Sequence, residues 1–212
     1  MTLKKRPWQR SSLYLILDAQ VCDHARLWDV LQAGVNNGVD IVQLRDKLGT
    51  VLKSVAFIRR AQCYLKGRIP FIVNDRADIA VASGASGVHV GQDDLPVAVA
   101  RAIVGRKVIV GKSCQTLAHL AQAQRDGADY AGFGSVFKTL TKPGRSAMDL
   151  QLLAEAVRRA KIPVFFIGGI TRSNIPLVRA HGVTRVAVCR EILLARHPAR
   201  VAKELKRALT SG

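Results

Sequence analysis

The stretch Gly38-Val-Asp-Ile-Val-Gln-Leu-Arg-Asp-Lys47 contains the pattern that determines the predicted fold. Its glycine suits the end of a helix, where a left-handed backbone turns the chain toward a strand. The apolar, β-branched residues that follow predict a buried strand, and the polar residues mark the end of that strand. The same junction recurs as Gly84-Ala-Ser-Gly-Val, Gly127-Ala-Asp-Tyr and Gly182-Val-Thr-Arg-Val. A two-strand unit is therefore repeated four times.

Strand-like runs alternate with stretches of helical periodicity throughout the chain. The eight predicted strands cover 13–18, 40–47, 69–75, 87–91, 108–113, 128–136, 162–169 and 185–190. The predicted helices cover 23–37, 50–66, 76–83, 96–104, 116–126, 149–160, 174–181 and 191–209. This order favours an α/β fold that is a single (β/α)8 TIM barrel. An open doubly wound sheet is disfavoured because no glycine-rich dinucleotide fingerprint follows the first strand.

The composition indicates one globular domain. The chain has 212 residues, of which 49% are hydrophobic, and folding should bury about 70% of the surface that the unfolded chain exposes. We expect one TIM-barrel domain over 1–212, with residues 1–12 as a basic N-terminal extension. No apolar run is long enough for a membrane helix or for the core of a signal peptide. The four cysteines are widely spaced, so we expect a cytoplasmic protein without disulfides or a zinc site.

The charge is strongly unbalanced, with 33 Lys and Arg against 15 Asp and Glu, which gives +18. Such a charge attracts nucleic acids, acidic membrane surfaces and anionic metabolites alike. The basic residues are dispersed and only 5% of residues are aromatic, so a nucleic-acid partner is disfavoured. A homo-oligomer is compatible with the sequence, and no membrane partner is expected.

Polar side chains cluster at the end of the second predicted strand. Since residues alternate along a strand, Gln43, Arg45 and Lys47 share the inward side, while Val42 and Leu44 face the helices. In TIM barrels the site lies at the carboxyl ends of the strands. Buried cations there require an anion or a carboxylate. The alternative is that Arg45 pairs with a local aspartate and Lys47 points into water.

The third and fourth strands end in acidic residues. Asn74 and Asp75 follow the third strand, and Asp93 and Asp94 follow the fourth. Two carboxylates that leave other coordination positions to water and phosphate oxygens are typical of a Mg²⁺ site. The alternative is that Asp93 or Asp94 only caps the helix that begins near Pro96.

The sixth, seventh and eighth strands indicate a second anion site. The loop after the sixth strand carries Lys138, hydroxyls at 139 and 141, Lys142 and several glycines, which together can surround an oxyanion, although a solvated turn would have the same composition. Gly169 and the pair Cys189-Arg190 follow the seventh and eighth strands, where barrels often bind phosphate. His89 is better explained as a packed histidine than as a catalytic one. Ser113 can contact a phosphate or cap a helix.

Several motifs resemble the thiamine-phosphate synthase family from residue 13 to residue 192. They are Tyr-Leu-Ile-Leu-Asp (14–18), Val-Gln-Leu-Arg-Asp-Lys (42–47), Ile-Val-Asn-Asp-Arg-Ala-Asp (72–78), Gly-Val-His-Val-Gly-Gln-Asp-Asp-Leu (87–95), Asp-Tyr-Ala-Gly-Phe-Gly-Ser-Val-Phe-Lys-Thr-Leu-Thr-Lys (129–142) and Ile-Gly-Gly-Ile (167–170). The resemblance implies a transferase that joins 4-amino-2-methyl-5-(diphosphooxymethyl)pyrimidine to 4-methyl-5-(2-phosphooxyethyl)thiazole. The products would be thiamine phosphate and pyrophosphate.

The resemblance also implies roles for individual residues. The pyrimidine diphosphate would contact Gln43, Arg45, Lys47, Asn74, Ser113 and Lys142, of which Arg45, Lys47 and Lys142 would be catalytic. Asp75 and Asp94 would bind Mg²⁺. The thiazole phosphate would contact Thr139, Thr141, Gly169, Cys189 and Arg190. Pyrophosphate would leave first and a pyrimidinyl methyl cation would be captured by the thiazole nitrogen, so no protein nucleophile is required.

The chain departs from the family pattern at a few positions. Ser135 and Lys138 stand where the family usually has prolines, and Arg190 stands where it usually has a serine after the eighth strand. We expect Arg190 to bind the thiazole phosphate in place of that hydroxyl. The surroundings of Ser113 also depart from the usual hydroxyl-rich segment. Two alternatives remain open, a related thiazole aromatase or regulator, which usually lacks the cations of the second strand, and a basic nucleic-acid-binding module.

Overall fold

Eight parallel strands close into a barrel, in which each strand pairs with the next one in the chain and the eighth pairs with the first. The computed structural model describes residues 7–138 and 148–210. The strands are β1 Leu13–Asp18, β2 Ile41–Arg45, β3 Phe71–Asn74, β4 Gly87–Val90, β5 Ile109–Cys114, β6 Tyr130–Phe133, β7 Val164–Ile167 and β8 Val186–Val188. The predicted (β/α)8 TIM barrel is therefore confirmed.

Helices cover the outside of the barrel. They are α1 His24–Val35, α2 Val51–Leu65, α3 Ala77–Ser83, α4 Val97–Val104, α5 Leu117–Arg125, α6 Leu150–Arg159, α7 Ile175–Arg179, α8 Arg190–Leu193 and α9 Pro198–Thr210. The prediction of one last helix over 191–209 is wrong, because the chain leaves the helix after α8 and begins α9 at Pro198. A proline is tolerated at the first position of a helix but disfavours helical backbone in the residue before it. Within the described ranges, no helix is long and apolar enough to cross a membrane.

The repeated junction attaches each even-numbered strand to the strand before it. Its four glycines all have positive φ, and they are Gly38, Gly84, Gly127 and Gly182. Two residues after Gly38, the carboxylate of Asp40 accepts the N–H of Leu13 at 3.0 Å. Asp129 accepts the N–H of Val110 at 2.8 Å, and Ser86 accepts an N–H of β3 in the same way. The polar residue of each of these three junctions therefore holds the start of the preceding strand in register.

Two apolar layers surround the strands. The larger layer lies between the barrel and the helices and includes Val42 and Leu44, as the alternation in β2 predicts. The smaller layer fills the barrel interior with Tyr14, Ile16, Ile41, Ile72, Ile109, Tyr130, Phe165 and Ala187. A short 3-10 helix, Pro7–Arg10, packs Trp8 edge-on against Tyr130 with ring centroids 6.2 Å apart. Along β2 the inward residues change from Ile41 to Gln43 to Arg45, so the polar end of the barrel lies at the carboxyl ends of the strands.

Candidate active site

A cavity of about 920 Å³ opens at the carboxyl ends of the strands. Its walls bring together ten of the predicted site residues, namely Gln43, Arg45, Lys47, Asn74, Asp75, Asp94, Ser113, Gly169, Cys189 and Arg190. The other three, Thr139, Thr141 and Lys142, lie outside the described residues. The described residues of both predicted anion sites therefore line one cavity.

Arg45 is held by a carboxylate on the neighbouring strand. Its Nη1 lies 3.0 Å from Oδ1 and 2.9 Å from Oδ2 of Asp18, which is only 1% exposed. The two residues are register partners of β1 and β2, so Arg45 does pair with an aspartate, as the alternative predicted, and that aspartate lies on the neighbouring strand. The buried Nε–H of Arg45 donates to no acceptor among the described residues.

Lys47 lies on the cavity wall and its Nζ is 3.1 Å from Oδ2 of Asp75. The alternative in which Lys47 points only into water is therefore wrong, although its side chain is about half exposed. Asp75 itself has a left-handed backbone with φ of 62°, and its N–H donates to the carbonyl of His89 at 2.8 Å. The hydrogen bond to β4 thus holds Asp75 at the end of β3, close to the residues that follow β4.

The carboxyl groups of Asp75 and Asp94 are neighbours, and each shifts the pKa of the other. Burial, together with the neighbouring Asp94, raises the pKa of Asp75 above its usual value. Although burial opposes it, hydrogen bonds from Asp75 and from the N–H of Gly91 lower the pKa of Asp94. Two neighbouring carboxyl groups of this kind fit a divalent cation, whose charge would relieve the repulsion between them.

Asp94 does not cap the helix that follows it. The N-cap of α4 is Pro96, while Oδ2 of Asp94 accepts the N–H of Gly91 at 2.8 Å. The capping alternative is therefore wrong for Asp94. In the ranges that the structure covers, no cluster of three or more His, Cys, Asp or Glu side chains could hold a metal. A cation bound by Asp75 and Asp94 would thus take its remaining ligands from water or from a bound molecule.

Four buried side chains and the partly buried Ser113 form a continuous chain of hydrogen bonds across the barrel, which we call the hydroxyl relay. Gln43 Nε2 donates to the Tyr14 hydroxyl at 2.7 Å, and the hydroxyls of Tyr14 and Tyr130 are 2.9 Å apart. His89 lies 3.0 Å from the Tyr130 hydroxyl through Nδ1 and 3.0 Å from the Ser113 hydroxyl through Nε2. Both ring nitrogens of His89 are thus engaged, which agrees with a packed histidine.

Ser113 is not a helix cap, because Thr116 caps α5 by accepting the N–H of His119. Its hydroxyl faces the cavity wall and bonds to His89 instead. The capping alternative is therefore wrong for Ser113, and its contact with a bound anion stays a prediction.

The opposite wall of the cavity is made by the loops after β6, β7 and β8. The N–H of Phe137 donates to the carbonyl of Gly168 at 3.0 Å, so the loop after β6 lies directly against the loop after β7. A Cβ on Gly169 would come within 2.6 Å of the carbonyl oxygen of Lys138. Only glycine permits this approach. Arg190 begins α8 on the same wall.

The sequence reasoning missed Tyr14, Asp18 and Tyr130. A usable signal was present, because Tyr14, Ile16 and Asp18 alternate along β1 in the same way as the inward residues of β2. Asp18 and Tyr14 are then expected on the inward side, next to Arg45 and Gln43. Alternation along the strands does not show which side chains contact each other across the barrel interior, as Tyr14 and Tyr130 do.

Comparisons with known proteins agree with this geometry. The family model for thiamine monophosphate synthase matches residues 13–192. A thiamine-phosphate synthase of Thermosynechococcus vestitus is 40% identical over 98% of this chain, and the chain spans 58% of the length of that relative. A thiamine-phosphate synthase of Thermobifida fusca is 42% identical over 100% of this chain and 97% of its own length.

The solved structure of thiamine phosphate pyrophosphorylase from Pyrococcus furiosus has the same fold as this chain, with a TM-score of 0.87 and 28% sequence identity. The match covers 97% of this chain and 98% of that one. The family model, the relatives and this structure all extend over the strands and loops that build the cavity. The chain therefore belongs to the thiamine monophosphate synthase family.

Proposed function

We propose that this chain is a thiamine-phosphate synthase, a transferase that joins 4-amino-2-methyl-5-(diphosphooxymethyl)pyrimidine to 4-methyl-5-(2-phosphooxyethyl)thiazole. The observation that carries this proposal is the meeting of Arg45, Lys47, Asp75 and Asp94, from the ends of three strands, on one wall of the cavity. Cations and carboxylates placed together in this way suit a diphosphate and a divalent cation. The names of the relatives support the same activity.

The metal in this proposal is Mg²⁺, and Asp75 and Asp94 are the residues that would hold it. When bound, Mg²⁺ would neutralise part of the negative charge on the diphosphate. The fit rests on two adjacent carboxyl groups, one of which has a raised pKa because of burial and of its neighbour. Asn74, beside Asp75, would bind the pyrimidine diphosphate.

The protein residues would act mainly on the leaving group. The carbon–oxygen bond of the pyrimidine diphosphate breaks and its electron pair goes to pyrophosphate. Arg45 and Lys47 stabilise that developing charge, with Lys142 as a third cation outside the described residues. The thiazole nitrogen then gives its electron pair to the pyrimidinyl methyl cation, forming the new carbon–nitrogen bond. Charges that are already in place in a partly enclosed cavity stabilise such a transition state most strongly.

The thiazole phosphate would bind at the opposite wall. The backbone at Gly169 and Cys189 and the guanidinium of Arg190 face this side of the cavity. Glu191, the carboxylate next to Arg190, bonds to Arg172 at 2.9 Å instead. Thr139 and Thr141 are proposed to complete the site. The two small phosphorylated substrates are therefore the partners we propose, in the cytoplasm, where free cysteines such as the four of this chain are stable.

The experiment that tests the function is incubation of the purified protein with both precursors and Mg²⁺. We expect thiamine phosphate and pyrophosphate to form in equal amounts, and product formation to stop when the metal is chelated. Binding of the thiazole phosphate without product would instead support the aromatase or regulatory alternative, which the presence of Arg45 and Lys47 disfavours. Salt-dependent retention on DNA without product would support the nucleic-acid-binding alternative.

A further inference from the structure

The hydroxyl relay connects two walls of the cavity through the barrel interior. Its five members come from β2, β1, β6, β4 and β5, in the order Gln43, Tyr14, Tyr130, His89 and Ser113. The four hydrogen bonds are between 2.7 and 3.0 Å long. All five residues line the cavity, but Tyr14, Tyr130 and Gln43 are at most 3% exposed, whereas Ser113 is partly exposed. The relay is therefore shielded from water along most of its length and open to a ligand at Ser113.

Counting the hydrogens gives the relay a direction. The amide nitrogen of Gln43 can only donate, so the Tyr14 oxygen accepts. If Tyr14 donates to Tyr130, then Tyr130 donates to Nδ1 of His89, and His89 donates from Nε2 to Ser113. The hydroxyl hydrogens of Tyr14 and Tyr130 and the ring hydrogen of His89 then each have an acceptor. In the opposite direction the Tyr14 oxygen would accept twice, and its own hydrogen would have no acceptor among the described residues, which is costly inside a protein.

We propose that Tyr14 and Tyr130 are positioning residues, which hold the proton of His89 on Nε2 and thereby turn the hydroxyl hydrogen of Ser113 toward the cavity. Because His89 donates to the Ser113 oxygen, the hydroxyl hydrogen of Ser113 can be donated to an anionic oxygen in the cavity. That this oxygen belongs to the diphosphate rests on the proposed function. The direction of the relay does not, because it follows from the buried bonds alone.

Two glycines make room for the rings of the relay. A Cβ on Gly111 would lie 2.2 Å from Cζ of Tyr130, far inside any allowed contact. A Cβ on Gly132 would lie 3.2 Å from Cε1 of His89. The ring of His89 stacks on that of Tyr130 with centroids 5.4 Å apart. The fold thus fixes these rings by packing as well as by hydrogen bonds.

The first test is the position of the His89 proton. We would record long-range ¹H–¹⁵N spectra of the ligand-free protein labelled at histidine, and assign His89 with a His89→Gln variant. We expect a proton-bearing Nε2 and an acceptor Nδ1 in the wild type, and a mixture of the two tautomers in Tyr130→Phe. A wild-type His89 with its proton on Nδ1 would overturn the proposal.

The second test is the coupling of Tyr130 to Ser113, measured as the affinity for magnesium pyrophosphate by titration calorimetry. We expect Ser113→Ala to weaken binding about tenfold, because a hydrogen bond to a charged oxygen is lost. We expect Tyr130→Phe to weaken binding about threefold, because a neutral hydrogen bond is lost. If Ser113 acts through the relay, the double variant binds about as weakly as Ser113→Ala alone. Losses that multiply to about thirtyfold would show that Tyr130 does not orient Ser113.

The matched control is Tyr64→Phe, which removes a tyrosine hydroxyl outside the barrel whose partner is Asn36. This variant should keep both the His89 spectrum and the pyrophosphate affinity of the wild type. The spectrum requires no substrate, so it decides the direction of the relay even for a protein that forms no thiamine phosphate. Failure of the relay and failure of the proposed function are therefore distinguishable.

Discussion

At the scale of single residues, the site depends on how buried charges are paired. Asp18 compensates the charge of Arg45 at the cavity, and Lys47, bonded to Asp75, compensates the charge of the two neighbouring carboxyl groups Asp75 and Asp94. Each of these contacts joins different strands. A charge buried without such a partner would destabilise the fold.

Asp18→Asn should destabilise the protein strongly. The change leaves the guanidinium of Arg45 buried without a carboxylate, so we expect the free energy of unfolding to fall by about 3 kcal/mol. Urea denaturation followed by circular dichroism measures it. The control is Asp78→Asn, which breaks an exposed pair with Arg76 and should cost less than about 1 kcal/mol. Equal losses in both variants would contradict this account of Arg45.

Asp75→Asn should lower turnover more than it lowers stability. Without this carboxylate the proposed Mg²⁺ site loses one of its two protein ligands, and we expect kcat to fall about 100-fold. Steady-state rates at increasing Mg²⁺ would show partial recovery at high metal concentration. The exposed Asp126→Asn serves as the control with unchanged rates. Turnover like that of the wild type would remove Asp75 from the metal site.

Arg190→Ser tests the cation that replaces the usual serine. We expect KM for the thiazole phosphate to rise about tenfold, because a charged hydrogen bond to phosphate is lost, with little change in KM for the pyrimidine diphosphate. Both constants come from initial rates at saturating co-substrate. Arg159→Ser, on the outer face of α6, should leave them unchanged. An unaltered KM for the thiazole phosphate would exclude Arg190 as its ligand.

At the scale of elements, the turns between strands and helices place the site residues. The turn between β2 and α2 is held by Asp46, whose carboxylate accepts the N–H of Gly49 at 2.7 Å and bonds to His24 at 2.9 Å and to Ser54 at 3.2 Å. Alternation along β2 correctly predicted that Arg45 faces inward, whereas Lys47 lies beyond the end of β2 and lines the cavity as part of the following turn. It could not predict that Asp46, between them, bonds to α1 and α2, because those contacts form only when the helices pack.

The stability that Asp46 contributes should depend on pH. Although burial opposes it, hydrogen bonds from Gly49 and His24 lower the pKa of Asp46 below its usual value. Since the pKa is lower in the folded protein, the contribution is complete above the carboxyl pKa of the unfolded chain and is lost as the pH falls through the folded value. We expect Asp46→Asn to be less stable than the wild type by about 1 kcal/mol at pH 7 and nearly equal to it near pH 2. Urea denaturation at both values measures this, and a constant difference would exclude the carboxylate as its source.

At the scale of the whole molecule, the net charge of +18 and the closed barrel act together. The carboxyl ends of the eight parallel strands lie at the end of the barrel where the cavity opens. A net charge of +18 should attract anionic molecules to the protein. The net charge by itself does not distinguish nucleic acids from anionic metabolites as binding partners. The cavity supports small phosphorylated molecules instead.

The long-range charge should increase the rate of substrate capture. We therefore expect kcat/KM for the pyrimidine diphosphate to fall several-fold between about 20 mM and 200 mM salt, while kcat changes little, because salt screens distant charges more than contacts in the cavity. Initial rates at fixed Mg²⁺ measure it. The same fall in kcat/KM with a second salt of larger ions would exclude specific ion binding as its cause. A kcat/KM independent of salt would mean that the excess charge does not act on substrate capture.

The sequence alone determined the barrel, since its glycine junctions and alternating strands are local patterns, and these also placed Gln43 and Arg45 on the inward side. Only the tertiary structure decided which groups pair. The bond between Arg45 and Asp18 depends on the register of two strands, and the relay through Tyr14, Tyr130 and His89 depends on closure of the sheet. Such contacts join residues that are distant in the chain, and their geometry exists only after the whole barrel has closed.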